Sequence, residues 1–270
     1  MNTDRWLIHR HLAQHTDERL QLVRKAPQHI LLAGADADIS RSLLASRYPK
    51  ATFSEYDLRA TFLEAAAARR KNGLLARLSG KIIPQHHQSM TDPFPEACAD
   101  FLWANLSLIT APELPPVFRN WAQALKPDGL LFFTHFGIDS LQSLYACLKT
   151  HGIEVSAPSL VDMHDLGDML LENGFYDPIT DTSKLELSYA SAASFWQDME
   201  ILGIWNALSF SDPDAARRLI TQAIEAGNFS ITLETIYGHA VKKAVLPEGA
   251  SPVQFYPKVK GEQKAKSSKE

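Results

Sequence analysis

The segment Gln28 to Asp57, QHILLAGADADISRSLLASRYPKATFSEYD, constrains this chain more than any other. Ile30-Leu31-Leu32 is an apolar run, Gly34 stands where a strand must turn, and Ile39 to Tyr48 repeats apolar residues at helical spacing. A second strand, Ala51 to Tyr56, follows and ends on Asp57. Two short buried strands joined through a helix form a parallel βαβ unit. Such a unit implies a sheet with helices packed on it through right-handed crossovers.

The rest of the chain continues the alternation. Arg5 to Val23 carries Trp6, Leu7, Leu12 and Leu20 among charges and reads as an amphipathic helix that Pro27 ends. Ala60 to Leu78 is helical, Lys81-Ile82-Ile83 a short strand, and Pro84 to Pro95 a loop. Asp100 to Asn105 is a strand, Pro115 to Leu125 a helix, and Lys126-Pro127-Asp128-Gly129 a turn before the buried strand Gly129 to Thr134. His164 to Glu172 is a helix stopped at Asn173-Gly174. Phe175 to Pro178, Lys184 to Tyr189 and Ser230 to Lys242 read as three strands, with helices at Ala193 to Gly203 and Asp212 to Glu225 between the last two. The economical fold is an α/β doubly wound sheet. It comprises a helical segment over 1–26 and a main domain over 27–245, with a helical insertion at about 190–228. The lysine-rich stretch 246–270 reads as a disordered tail.

Bulk composition narrows the partners. With 270 residues, 45% apolar and 21% charged, the chain is an ordinary globule. A net charge of −4 offers nothing to nucleic acid or an anionic membrane surface. Cys98 and Cys147 stand far apart without CxxC spacing, so neither a disulfide framework nor a zinc site is expected, and a reducing cytoplasm fits. The ten histidines are scattered, and the adjacent pair His86-His87 is poorly placed to share a metal. No segment is apolar enough for a transmembrane span or a secretory signal.

In an open α/β sheet, ligands bind beyond the carboxyl ends of the strands where strand order reverses. The residues there are Gly34 after the first strand, Asp57 with Leu58 after the second, Gln88 and Ser89 after the third, and Asn105 on the fourth. A backbone turn, a carboxylate for ribose hydroxyls and an amide for adenine make a nucleoside-shaped set. Each residue also has a structural reading: Asp57 can cap the next helix, Asn105 can cap or turn, and Gln88 can be loop surface. His135, His164 and His239 read as structural, and Trp196 and Trp205 as helical core.

At this point the chain resembles class I S-adenosylmethionine-dependent methyltransferases, and within them the BioC family. Asp100 to Leu108 (DFLWANLSL) is similar to the family's fourth-strand motif, and Lys126 to Leu141 (KPDGLLFFTHFGIDSL) to its fifth-strand block. Leu160 to Pro178 is the most distinctive match, Ile236 to Ala240 resembles the last strand, and Trp6 to Arg10 the end of the lid helix. The resemblance implies a Rossmann-like, mostly parallel seven-stranded sheet with an N-terminal lid helix and a helical insertion before the last strand. It also implies S-adenosylmethionine as cofactor and acyl carrier protein bearing a malonyl thioester as partner, with methyl transfer to the free malonyl carboxyl in biotin synthesis. Gly34, Asp57, Leu58, Gln88, Ser89 and Asn105 then become the expected cofactor contacts; no catalytic residue is assigned.

The first motif departs from the pattern Asp-x-Gly-x-Gly-x-Gly: Leu32 replaces the acid, and Asp36 and Asp38 replace the later glycines. Gln88 stands where the family has aspartate. A side chain at Asp36 is expected to limit backbone approach and, at positive φ, to be strained. Two other readings accompany the first: a methyltransferase fold that binds or assembles without turnover, and a methyltransferase or hydroxylase with another substrate. A nicotinamide dehydrogenase fits the loop less well.

Overall fold

The computed structural model describes residues 5–23, 26–72, 83–157, 160–227 and 229–244. Helix α1 (Leu7–Arg19) leads through a single 3-10 turn toward strand β1 (His29–Ala33). There follow α2 (Ile39–Arg47), β2 (Thr52–Asp57), α3 (Ala60–Asn72), β3 (Gln85–His87) and β4 (Ala99–Asn105). Then come α4 (Leu114–Ala124), β5 (Leu125–Phe136), α5 (Gln142–Thr150), β6 (Val155–Ser156) and α6 (Met163–Glu172). The chain continues through β7 (Phe175–Ser188), α7 (Ala192–Leu202), β8 (Ser209–Phe210), α8 (Pro213–Glu225) and β9 (Ser230–Lys242).

Seven strands form one sheet in the order β3-β2-β1-β4-β5-β9-β7. The five from β3 to β5 are parallel; β9 runs antiparallel to both β5 and β7. Strand order reverses between β1 and β4, which creates the crevice where such sheets hold ligands. β6 and β8 pair separately as a two-stranded ribbon.

Alternation along the strands builds two cores. Leu31, Ala33, Leu102, Ala104, Leu131 and Phe133 face one way and pack with Phe118 and Trp121 of α4 and Leu166 and Leu170 of α6. Ile30, Leu32, Phe101, Trp103 and Phe132 face the other way and meet Leu44 of α2 and Ala13 of α1. This period of two, with apolar residues at both phases, makes the central strands read as continuous apolar runs. A third core, beyond the carboxyl ends, joins Phe136, α5 and the insertion helices α7 and α8. Gly238 on β9 lets the Phe133 ring lie flat on the backbone: an added Cβ would stand 2.2 Å from Phe133 Cζ.

Several boundaries differ from the sequence reading. The strand expected at Lys81-Ile82-Ile83 is instead the polar edge strand β3; residues 81 and 82 lie outside the described residues, as do the end of the predicted helix past Asn72 and the tail 246–270. Phe175 to Pro178 and Lys184 to Tyr189 are one strand, β7, with an irregularity between Tyr176 and Ile179 where Asp177 takes φ +48°. The predicted turn at Lys126 to Gly129 lies within β5, and Asp128 there has φ +60°. Among the described residues, no helix is long and apolar enough to cross a membrane.

Candidate functional site

The crevice is assembled by the loop between β1 and α2, the end of β2, the end of β4 and the underside of α1. Gly34 has φ +111°, and its N–H donates to the Tyr56 carbonyl (2.7 Å). A Cβ on Gly34 would stand 2.7 Å from the Ser107 Cβ, so only glycine fits this approach. The next N–H, of Ala35, donates to Asp57 Oδ2 (2.8 Å), tying the loop to the end of β2.

Asp57 is buried, and its carboxylate is fully engaged. Oδ1 accepts from the Arg59 N–H (2.7 Å) and Arg59 Nε (2.9 Å), while Oδ2 accepts from Ala35 N and Arg59 Nη2 (2.8 Å). The Arg59 guanidinium in turn lies 3.6 Å over the Phe62 ring. The helix-entry role is realised at Asp57: it caps the chain just ahead of α3, at the point where strand order reverses.

Asp36 does not take the strained backbone that the glycine pattern suggested; the left-handed residues are Ala37 (φ +53°) and Asp38 (φ +68°). Asp36 folds back as a cap for α2. Oδ1 accepts from Ser40 N (3.0 Å), and Oδ2 accepts from Ser40 Oγ (2.6 Å) and Asn105 Nδ2 (2.8 Å). Burial pushes its pKa up, and the Ser40 and Asn105 hydrogen bonds pull it partly back. Asp38 holds its left-handed turn against two arginines, Arg41 and Arg70; Arg70 Nη1 reaches Asp38 Oδ1 at 3.0 Å and its Nη2 reaches Glu55 Oε2 at 2.8 Å. Aspartate is among the residues that tolerate this conformation best.

Helix α1 roofs the crevice. Asn105 Nδ2 also donates to the His9 carbonyl (2.9 Å), and the His9 ring packs edge-on to Trp6 and Phe62. Burial, followed by the nearby Arg59 charge, lowers the His9 pKa to about 3, so the ring is neutral. Both His9 ring nitrogens, Arg59 Nη1 and Ser107 Oγ are buried without a hydrogen-bond partner among the described residues. Trp121 Nε1 and Tyr145 Oη are in the same condition elsewhere in the fold.

Of the residues expected from sequence, Gly34, Asp57 and Asn105 converge here. The Gln88 N–H donates to the Asp57 carbonyl (3.2 Å), which brings the loop after β3 alongside. The Gln88 side chain reaches only the Pro93 carbonyl (3.5 Å), and Ser89 Oγ pairs with Thr91 Oγ1 (2.8 Å). Leu58 is half exposed beside Asp57. Sequence reasoning missed Arg59, His9 and Ser107. Arg59 carried a local signal, a cation two residues after the ribose-type acid; His9 and Ser107 carried none. His164 is exposed and bonded to Asp162 (2.7 Å), and His239 stacks on Phe132 (5.0 Å), so both are structural.

The strand order, the switch-point crevice and the acid ending β2 define a class I methyltransferase. A family model described as a methyltransferase domain matches residues 32–133. The YcgJ protein of Bacillus subtilis has the same fold, with a TM-score of 0.57 at 16% identity, covering 86% of this chain and 100% of that one. The chain belongs to the malonyl-[acyl-carrier protein] O-methyltransferase family. It is 32% identical to the family's protein from Methylovorus sp. over 93% of this chain and 89% of that relative. It is 28% identical to the protein from Laribacter hongkongensis over 93% and 90%.

Proposed function

We infer that this chain is an S-adenosylmethionine-dependent O-methyltransferase that esterifies the free carboxyl of a malonyl thioester on acyl carrier protein, a step of biotin synthesis. The reach of the likeness carries this reading. It extends over 93% of this chain and 89% of the Methylovorus relative, and so includes the insertion helices as well as the shared methyltransferase core.

The polar groups at the switch point suit the cofactor. Both His9 ring nitrogens and Ser107 Oγ are buried without a hydrogen-bond partner among the described residues, which suits a polar ligand, and Gly34 at φ +111° packs its backbone against Ser107. Bound S-adenosylmethionine supplies a methyl group already activated on a sulfonium, which an ionised carboxylate can take in line without a general base. The chain's own work is to bind, orient and exclude water. In this reading Asp57 receives the ribose hydroxyls, Leu58 offers an apolar surface to the adenine, and Gln88 and Ser89 lie beside it. Gly34 admits the cofactor's tail, and Asn105 anchors the loop and the roof from below. Helix α1, held through the His9 carbonyl, keeps water from the reacting atoms.

Rescue of a biotin auxotroph that lacks this methyl transfer tests the reading. The chain is expected to restore growth and Asp57→Ala to lose it; failure of a well-expressed wild-type chain to rescue sinks the assignment.

A further inference from the structure

The Arg59–Asp57 pair asks for an explanation that the fold does not need. Asp57 already caps the approach to α3 through the Arg59 N–H, and it already anchors the β1–α2 loop through Ala35 N. The guanidinium adds two further bonds, from Nε and Nη2, and so fills the remaining capacity of the carboxylate. A carboxylate with every lone pair engaged cannot also receive ribose hydroxyls.

The closed arrangement is also incompletely satisfied. Arg59 Nη1 is buried without a partner, and beside it both His9 ring nitrogens are in the same condition. A guanidinium placed purely for stability would be expected to satisfy its buried donors. Release is short and local. The Arg59 side chain is 19% exposed, and it stands two residues from Asp57 with its guanidinium over the Phe62 ring.

Resting on the methyltransferase reading above, we propose that Arg59 sets cofactor affinity: its guanidinium holds the oxygens of Asp57 that the ribose would use and must let go before the cofactor binds. Arg59 is thus a positioning residue that competes with ligand rather than a catalytic one. Cofactor affinity is lowered by the equilibrium constant for breaking this ion pair.

Calorimetric titration of the full chain with S-adenosylhomocysteine tests this, using Arg59→Ser and Arg59→Gln. Loss of a charge-assisted pair of this kind corresponds to binding roughly tenfold or more tighter in Arg59→Ser. Arg59→Gln keeps a neutral donor and should fall between wild type and Arg59→Ser. Circular dichroism establishes that each variant is folded; if Arg59→Ser is not, Arg59→Gln carries the test with the same direction of change. A structural role alone would not tighten binding. Equal or weaker binding by the folded variants, with wild type still binding, overturns the role of Arg59 and leaves the methyltransferase reading standing. No binding by any folded form overturns both.

Discussion

Asn105 donates to Asp36 Oδ2 across 2.8 Å, tying the end of β4 to the loop that follows β1. The bond spans the point where strand order reverses, so the two halves of the sheet are joined through the wall of the ligand crevice. It also gives the Asp36 side chain its place: it turns inward and becomes part of the wall.

Asp36→Ala should therefore be costly. It leaves Ser40 N and the Ser40 hydroxyl proton without their acceptor and removes one of the two bonds of Asn105 Nδ2, which keeps the His9 carbonyl. A loss of about 2–4 kcal/mol in urea unfolding is expected, more than for an ordinary surface aspartate. A loss under about 0.5 kcal/mol, the surface range, would show that these bonds are not made.

His9 gives the fold a pH dependence. Its folded pKa, about 3, lies below the unfolded value of 6.5, so the ring is neutral inside and its burial carries no charge penalty above that unfolded value. Stability is retained above pH 6.5 and lost progressively as pH falls toward 3. At about pH 5 the loss from this residue is about 2 kcal/mol. Because Asp36, with its raised pKa, works in the opposite direction, the comparison is with His9→Leu, whose stability should fall less between about pH 7 and 5. Parallel pH curves for the two proteins would refute the assignment.

Arg70 serves two buried acids, Asp38 and Glu55. Burial raises the Glu55 pKa, and Arg70 opposes the rise. Arg70→Met removes that opposition, leaving a buried charge without its cation, and should cost about 3–5 kcal/mol near neutral pH. An acid whose folded pKa is raised penalises folding above that pKa, and the penalty disappears as pH falls through it toward the unfolded value. The deficit of Arg70→Met relative to wild type should accordingly shrink in acid. Guanidinium unfolding at several pH values reads this out; a deficit that grows in acid would contradict it.

Gly34→Ala combines φ +111° with a Cβ placed 2.7 Å from Ser107 Cβ. Overpacking at a rigid contact plus a strained backbone predicts a loss of about 2–4 kcal/mol in thermal or chemical unfolding. Ser107→Gly in the same chain should recover the packing part but not the backbone part. Full recovery, or no loss at all, would contradict this division.

Much of this was legible in the sequence, because the central strands carry their signal locally. The apolar runs of β1 and β4, the alternation of β9 and the acid closing β2 all sit within their own segments. β3 was displaced because Gln85-His86-His87 is an edge strand with no apolar run; it is held through pairing with β2 and the stack of Tyr56 on His86 (4.4 Å). β7 reads as two strands in the sequence because Thr180 to Ser183 is a polar run between Phe175–Pro178 and Lys184–Tyr189, whereas that run pairs continuously with β9 and the irregularity falls earlier, between Tyr176 and Ile179. In the site, Gly34, Asp57 and Asn105 were readable from their slots in the fold. The ion pairs of Arg70 were not, since Glu55 and Asp38 meet it only once α3 folds back on β2. His9 depends wholly on how α1 closes over the sheet.

Intact-mass spectrometry of acyl carrier protein reads the methyl transfer itself. Malonyl-acyl carrier protein incubated with this protein and S-adenosylmethionine is predicted to gain the mass of one methyl in place of a proton on the malonyl group. Acetyl-acyl carrier protein, which lacks the free carboxyl, should gain nothing. A folded wild-type protein that leaves the malonyl species unchanged, or that methylates both alike, would rule out methyl transfer to the malonyl carboxyl.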